Sequence, residues 1–138
     1  MSRILAVDWG TRRVGLAISD ESAMLARSLP TLSVRGIKDA VRQVDAVARE
    51  SEAGTIVVGL PVHDSGAESE SSAAARRLGG ALAARGHRVV YLDERLSSEK
   101  AREILADRGD TRPQPGRVDA VAAALLLQEY LDAPSSSV

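Results

Sequence analysis

Acidic residues stand at three places in this 138-residue chain where the surrounding residues are apolar. Asp8 lies within "ILAVDWG", Asp93 and Glu94 directly follow the apolar run "RVVYL", and Asp119 opens "VDAVAAALLLQEYL". Each has an ordinary structural reading. A strand-end Asp satisfies turn amides, an acidic pair beside Arg95 solvates a loop, and a first-turn Asp favours a helix dipole. Converging from separate elements, the same carboxylates would repel one another and raise some of their pKa values. A divalent cation relieves that repulsion. All-oxygen ligation suits Mg²⁺ or Mn²⁺, and a chain with no cysteine and two histidines offers no thiolate or imidazole cluster for zinc. Two such ions roughly 3.5–4 Å apart activate water and stabilise the leaving oxygen of a phosphodiester. The expected chemistry is metal-dependent phosphodiester hydrolysis. His63 sits where a loop base could act, but a solvated polar residue is the plainer reading. His87, after Gly86, reads as a cap or surface residue, so no nucleophile triad has a convincing base.

The elements that must position these acids follow from hydrophobic period. Ile4 to Trp9 and Val14 to Ser19 read as strands joined by a tight turn. With Thr11 and Arg12 as the two loop residues, Asp8 pairs with Gly15. Ile4, Ala6, Asp8, Gly15, Ala17 and Ser19 then share one face, and Leu5, Val7, Trp9, Val14, Leu16 and Ile18 the other. The small neighbours are expected to leave room for something to approach the carboxylate. A third strand is expected within Met24 to Leu32, closed by Pro30 and Gly36. Ile37, Val41, Val44 and Ala48 fall at helical spacing, with Gly54 as the helix stop. Thr55 to Leu60 and Arg88 to Leu92 read as buried strands on either side of a helix through Leu78 and Leu82. Ser97 is the expected N-cap of a further helix, "RGDTRPQPG" a turn-rich break, and Val118 to Leu131 the last helix. The order predicts an α/β fold: a mixed five-stranded sheet, strands 1–3 antiparallel and strands 4–5 parallel, with helices on both faces. Residues 1–132 are expected to form one domain, and 133–138 a frayed tail.

Composition bounds the alternatives. Aromatic residues are 2% of the chain, so no stacking platform for unpaired bases is available. The net charge of −1 is not that of a protein coating nucleic acid by charge alone. Arginine supplies nearly all the positive charge, which fits phosphate recognition, although genomic composition bias, visible also in the many alanines, is the plainer reading. The longest apolar run, Ala120 to Leu127, is far short of a membrane span, and Asp8 interrupts any signal-peptide stretch. A cytoplasmic protein without membrane association is expected.

Four motifs resemble the YqgF/RuvX family, linked to pre-16S ribosomal RNA processing and Holliday junction resolution: "DWGTRRVGLA", "GLPVHDSG", "DERLSS" and "VDAVAAALLLQEYL". They occur in the family's order and span nearly the whole chain. The resemblance implies an RNase H-like fold. It implies Asp8, Glu94 and Asp119 as catalytic and metal-binding residues, with Asp93 as a weaker ligand, and Mg²⁺ or Mn²⁺ as cofactor. It places Arg12, Arg13, Arg95 and Gly66 within motifs that could hold nucleic acid, with Gly59, Pro61 and Gly66 matching the loop that would border the substrate groove. Val62-His63-Asp64-Ser65 departs from the family's usual loop, and "DRGDTRPQPGR" has no lysine where the family often has several. The implied partner is structured RNA, a ribosomal precursor, or branched DNA, with a homodimer expected for a resolvase. Two other readings compete. A nucleotide binder of the sugar kinase, Hsp70 and actin type shares the D-x-G-T opening but needs two such domains around a cleft. A non-catalytic module would bind nucleic acid or a protein partner through the same fold.

Overall fold

A computed structural model describes residues 3–10, 12–22, 24–60, 70–93 and 117–132. The hairpin at the start supplies the middle of the sheet: β1 (Arg3–Trp9) and β2 (Arg13–Ser19) pair antiparallel, with Asp8 opposite Gly15 as the two-residue loop requires. Next come β3 (Ala26–Ser33), α1 (Ile37–Glu50), β4 (Ala53–Leu60), α2 (Glu70–Ala84), β5 (Arg88–Asp93) and a last helix, α3 (Arg117–Asp132). The sheet order is β3-β2-β1-β4-β5. β3 joins β2 antiparallel, whereas β4 and β5 continue parallel from β1. The expected helix after Ser97 and the tail 133–138 lie outside the described residues.

The two sheet faces differ in side-chain size, and that difference decides which helices cover them. Leu5, Val7, Trp9, Val14, Leu16 and Ile18 join Ile56 and Val58 in a core closed by Val41 and Val44 of α1 and Leu78 and Leu82 of α2. The opposite face offers Ala6, Ala17 and Val57, against which Ala123, Leu126 and Leu127 of α3 pack. Small residues on that face let α3 lie close to the sheet. Fully burying each Leu or Val contributes about 1.5–3 kcal/mol, so α3 is held mainly by its apolar side chains.

Two expected boundaries are wrong, each for a physical reason. Pro30 does not close β3 but lies inside it. Val14 stands opposite Leu32 and Leu16 opposite Leu29, so Pro30 and Thr31 together face Gly15. A bulge on an edge strand tolerates a residue with no N–H to contribute. Gly54 does not stop α1 but belongs to β4. The helix ends at Ser51, whose N–H bonds the Val47 carbonyl at 2.9 Å, and Glu52 takes the left-handed conformation (φ 57°).

His87 also departs from expectation. Its Nε2 lies 2.6 Å from Oδ1 of Asp45, and Arg49 (3.0 Å) and Arg85 (3.0 Å) hold the same carboxylate. This cluster ties α1 to the turn between α2 and β5, where Gly86 (φ 98°) reverses the chain. The His87 hydrogen bond, and then those of the two arginines, hold the Asp45 carboxyl down at about 2. A depressed carboxylate contributes stability that is present above its ordinary value near 3.8 and lost as pH falls toward 2. Thermal melting of wild type and Asp45→Asn should therefore differ by a constant gap from pH 6 to 5. The gap should narrow below pH 4. A gap unchanged at pH 2.5 would show that Asp45 ionisation contributes nothing to the fold.

Candidate active site at the carboxyl ends of the central strands

β1, β4 and β5 run parallel, so their carboxyl ends open on one side of the sheet, where ligands collect in open α/β folds. Asp8, next to last in β1, is buried at 6% exposure. It lies on the face of Ala6, toward α3. Its partner across the hairpin is Gly15. On the other side Val7 pairs with Val58, so Asp8 lies beside Gly59 of β4. A carboxylate is thus flanked in the sheet by two residues without side chains.

The space over Gly15 is not open, as the small neighbours led us to expect. The first turn of α3 fills it. A methyl group on Gly15 would lie 2.1 Å from the carbonyl oxygen of Asp119 and 3.1 Å from its Cβ. The Ser28 hydroxyl donates to the Ala120 carbonyl at 3.1 Å, fixing the same turn to β3. The fold therefore brings Asp8 and Asp119 to one place from the two ends of the chain. Arg13, two residues before Gly15 on the same face, reaches Asp119 through Nε at 3.2 Å. The described geometry of Arg13 is thus an ion pair.

Other candidates fall differently. Asp93 is the exposed last residue of β5. Its strand parity is that of Val89 and Tyr91, which pack against the α1/α2 core, whereas Leu92 packs toward α3. Alternation thus assigns Asp93 to the face opposite Asp8. Arg12 is exposed at the hairpin turn. Glu94, Arg95, Gly66, Pro61 and His63 lie outside the described residues. Gly59, read in the sequence only as part of the loop motif, is the next-to-last residue of β4 and lies beside Asp8; the signal was a glycine within an otherwise apolar strand.

Among the described residues no three His, Asp or Glu side chains gather as a metal cluster. Asp8 and Asp119 supply two carboxylates from separate elements, with no imidazole grouped with them among the described residues. That donor set fits a hard divalent cation.

A family model named RuvX, described as Holliday junction resolvase, matches residues 2–133. A protein of Anaeromyxobacter dehalogenans (strain 2CP-C) bearing the name "Putative pre-16S rRNA nuclease" is 44% identical over 94% of this chain and 96% of its own. One of the same name from Yersinia pestis (strain Pestoides F) is 37% identical over 94% of each. Among solved structures, Thermus thermophilus RuvC in complex with a Holliday junction substrate aligns with TM-score 0.55 and 17% identity over 95% of this chain and 94% of that one. The fowlpox virus resolvase with Holliday junction DNA aligns with TM-score 0.59 and 13% identity over 94% and 97%. Together with the sheet order, these likenesses make the fold RNase H-like.

Proposed function

The chain belongs to the RuvX family, and from that premise we propose that it is a metal-dependent endonuclease acting on the precursor of 16S ribosomal RNA. The observation that carries the reading is the seating of the Asp119 backbone on Gly15, the cross-strand partner of Asp8. Asp8, Asp119 and the motif residue Glu94 would hold Mg²⁺ or Mn²⁺. Such ions, when bound, supply an activated water and charge stabilisation at the leaving oxygen. The chain's own residues do the positioning. β1 fixes Asp8 within the sheet, and Gly15 admits α3 so that Asp119 faces the same place. Arg13 orients the Asp119 carboxylate through Nε and brings positive charge to where a phosphate must approach. The parity of β5 sets Asp93 on the face opposite Asp8, which disfavours it as a ligand.

RNA is the substrate preferred here because the curated relatives bear that name. Four-way DNA is the second reading, favoured by the family description and by the junction-bound structures of like fold. A resolvase must make two symmetric cuts, so that reading carries a homodimer with it. The rRNA reading carries a cytoplasmic location.

The test is cleavage of a labelled precursor of small-subunit rRNA and of a four-way DNA junction, each with Mg²⁺, Mn²⁺ or chelator. Asp8→Asn serves as control. Metal-dependent cutting of the RNA, lost in the variant, is the expected result. Cutting of the junction alone would replace the RNA reading. Cutting of neither by folded protein with metal present would leave the fold as a binding module.

A further inference from the structure

The same end of the molecule carries a stripe of positive charge. Arg12 is exposed, and its carbonyl accepts a hydrogen bond from the Val34 N–H at 2.9 Å. That bond sets the hairpin turn against the link between β3 and α1, where Arg35 is exposed. Asp39 accepts the Arg35 backbone N–H at 2.9 Å and pairs with Arg42 at 2.6 Å. Asp39, in the first turn of α1, thus ties the helix back to the link before its N-cap, Gly36. Arg12, Arg35 and Arg42 are thus linked in turn through Val34 and Asp39, and exposed Lys38 lies one helical turn before Arg42. Arg35, Asp39 and Arg42 line a concavity of about 530 Å³ with Ser33, Val34 and Gln43. At the other end of the stripe Arg13, next to Arg12, reaches Asp119.

Acids pair with Arg13 and Arg42 of this surface and so neutralise its charge only in part among the described residues. Asp39 is the acid among Arg12, Arg35, Lys38 and Arg42. Among the described residues the side chains of Arg12, Arg35 and Lys38 form no ion pair. Arg49 and Arg85, at the far end of α1, are both held by Asp45.

We propose that this stripe is the track on which the phosphodiester backbone of the substrate lies, leading from Asp119 over the β1–β2 turn to the first turns of α1. The inference rests on the nuclease reading and adds to it the route by which the strand enters. Guanidinium forks match phosphate oxygens in pairs. The aromatic side chains offer no alternative grip: Trp9 is buried, and Tyr91 and Tyr130 are at most half-exposed. Recognition by this track is through phosphate, hence independent of base sequence and strongly dependent on salt.

Binding of fluorescently labelled precursor-RNA hairpin and four-way DNA junction, read by anisotropy in chelator between 50 and 200 mM KCl, tests it without cleavage. Arg35→Ala/Arg42→Ala should lower the slope of log affinity against log salt by about two, so that its affinity falls about tenfold less over that range than that of wild type. Arg12→Ala, whose side chain has no ion-pair partner among the described residues, should lower the slope by about one and reports even if the double variant melts early. Arg27→Ala, exposed at the opposite end of β3, should leave the slope unchanged. Loss on both substrates, or on one alone, supports the track and in the second case says which substrate uses it. Wild-type slope and affinity in both stripe variants would overturn the track while metal-dependent cleavage still upheld the nuclease. Stripe-dependent binding without cleavage would do the reverse. A wild-type protein that neither binds nor cuts would overturn both.

Discussion

Gly15→Ala should unseat α3 and abolish cleavage in one substitution. The added methyl meets the Asp119 carbonyl oxygen at 2.1 Å and its carbon at 2.5 Å. Both are backbone atoms of a helix, so no rotamer change relieves the clash. Either α3 lifts from the sheet or β2 distorts beside Asp8. Overpacking of a close-packed site costs about 1–3 kcal/mol, and a backbone clash belongs at the upper end. That corresponds to a fall in melting temperature of roughly 10 °C for a domain of this size. Gly80→Ala is the control, since nothing lies within 4 Å of the added carbon and the site is an exposed helix position. It should be neutral or stabilising by about 0.5–1 kcal/mol. Melting curves and metal-dependent cleavage below the melting point check both. Wild-type stability and cleavage in Gly15→Ala would mean that α3 does not depend on that close approach.

Asp119→Asn should separate what Gly15→Ala joins. The Arg13–Asp119 pair is half-exposed on the arginine side, and such pairs contribute about 0–1 kcal/mol. Stability should hardly change. With Asp119 holding the metal as proposed, cleavage should fall by at least about a hundredfold, because transition-state stabilisation worth several kcal/mol would depend on its charge. Arg13→Ala should lie between the two, losing orientation of Asp119 and not the ligand itself. Side-by-side measurement of melting temperature and cleavage rate for both variants decides the matter. Full activity in Asp119→Asn would remove that residue from the site and leave Asp8 without its partner.

The hairpin was legible because its pairing depends on neighbours in sequence. A two-residue turn sets the parity, and parity sorts Asp8, Gly15 and Ala17 from Val7, Val14 and Leu16. The buried character of β4 and the helical period of Ile37, Val41, Val44 and Ala48 were local too. Errors arose where a local signal met a tertiary circumstance. Pro30 reads as a strand end unless the strand is an edge with a bulge. Gly54 reads as a stop unless the preceding Glu52 can itself turn left-handed. His87 reads as a surface residue until α1 brings Asp45 against it.

By itself, then, the sequence determined the hairpin register, the mixed sheet with its two unequal faces, and the family through its four motifs, since each depends on residue order and period along the chain. Only the tertiary structure decided how the site is assembled. That the room beside Asp8 would be taken by the first turn of α3 depends on residues more than a hundred positions apart, brought together by burial of Ala123, Leu126 and Leu127. That Arg12 lies against the link leading to Arg35 and Arg42 depends on one backbone hydrogen bond, from Val34. Burial and hydrogen bonding select such contacts from among many that the same local pattern would permit.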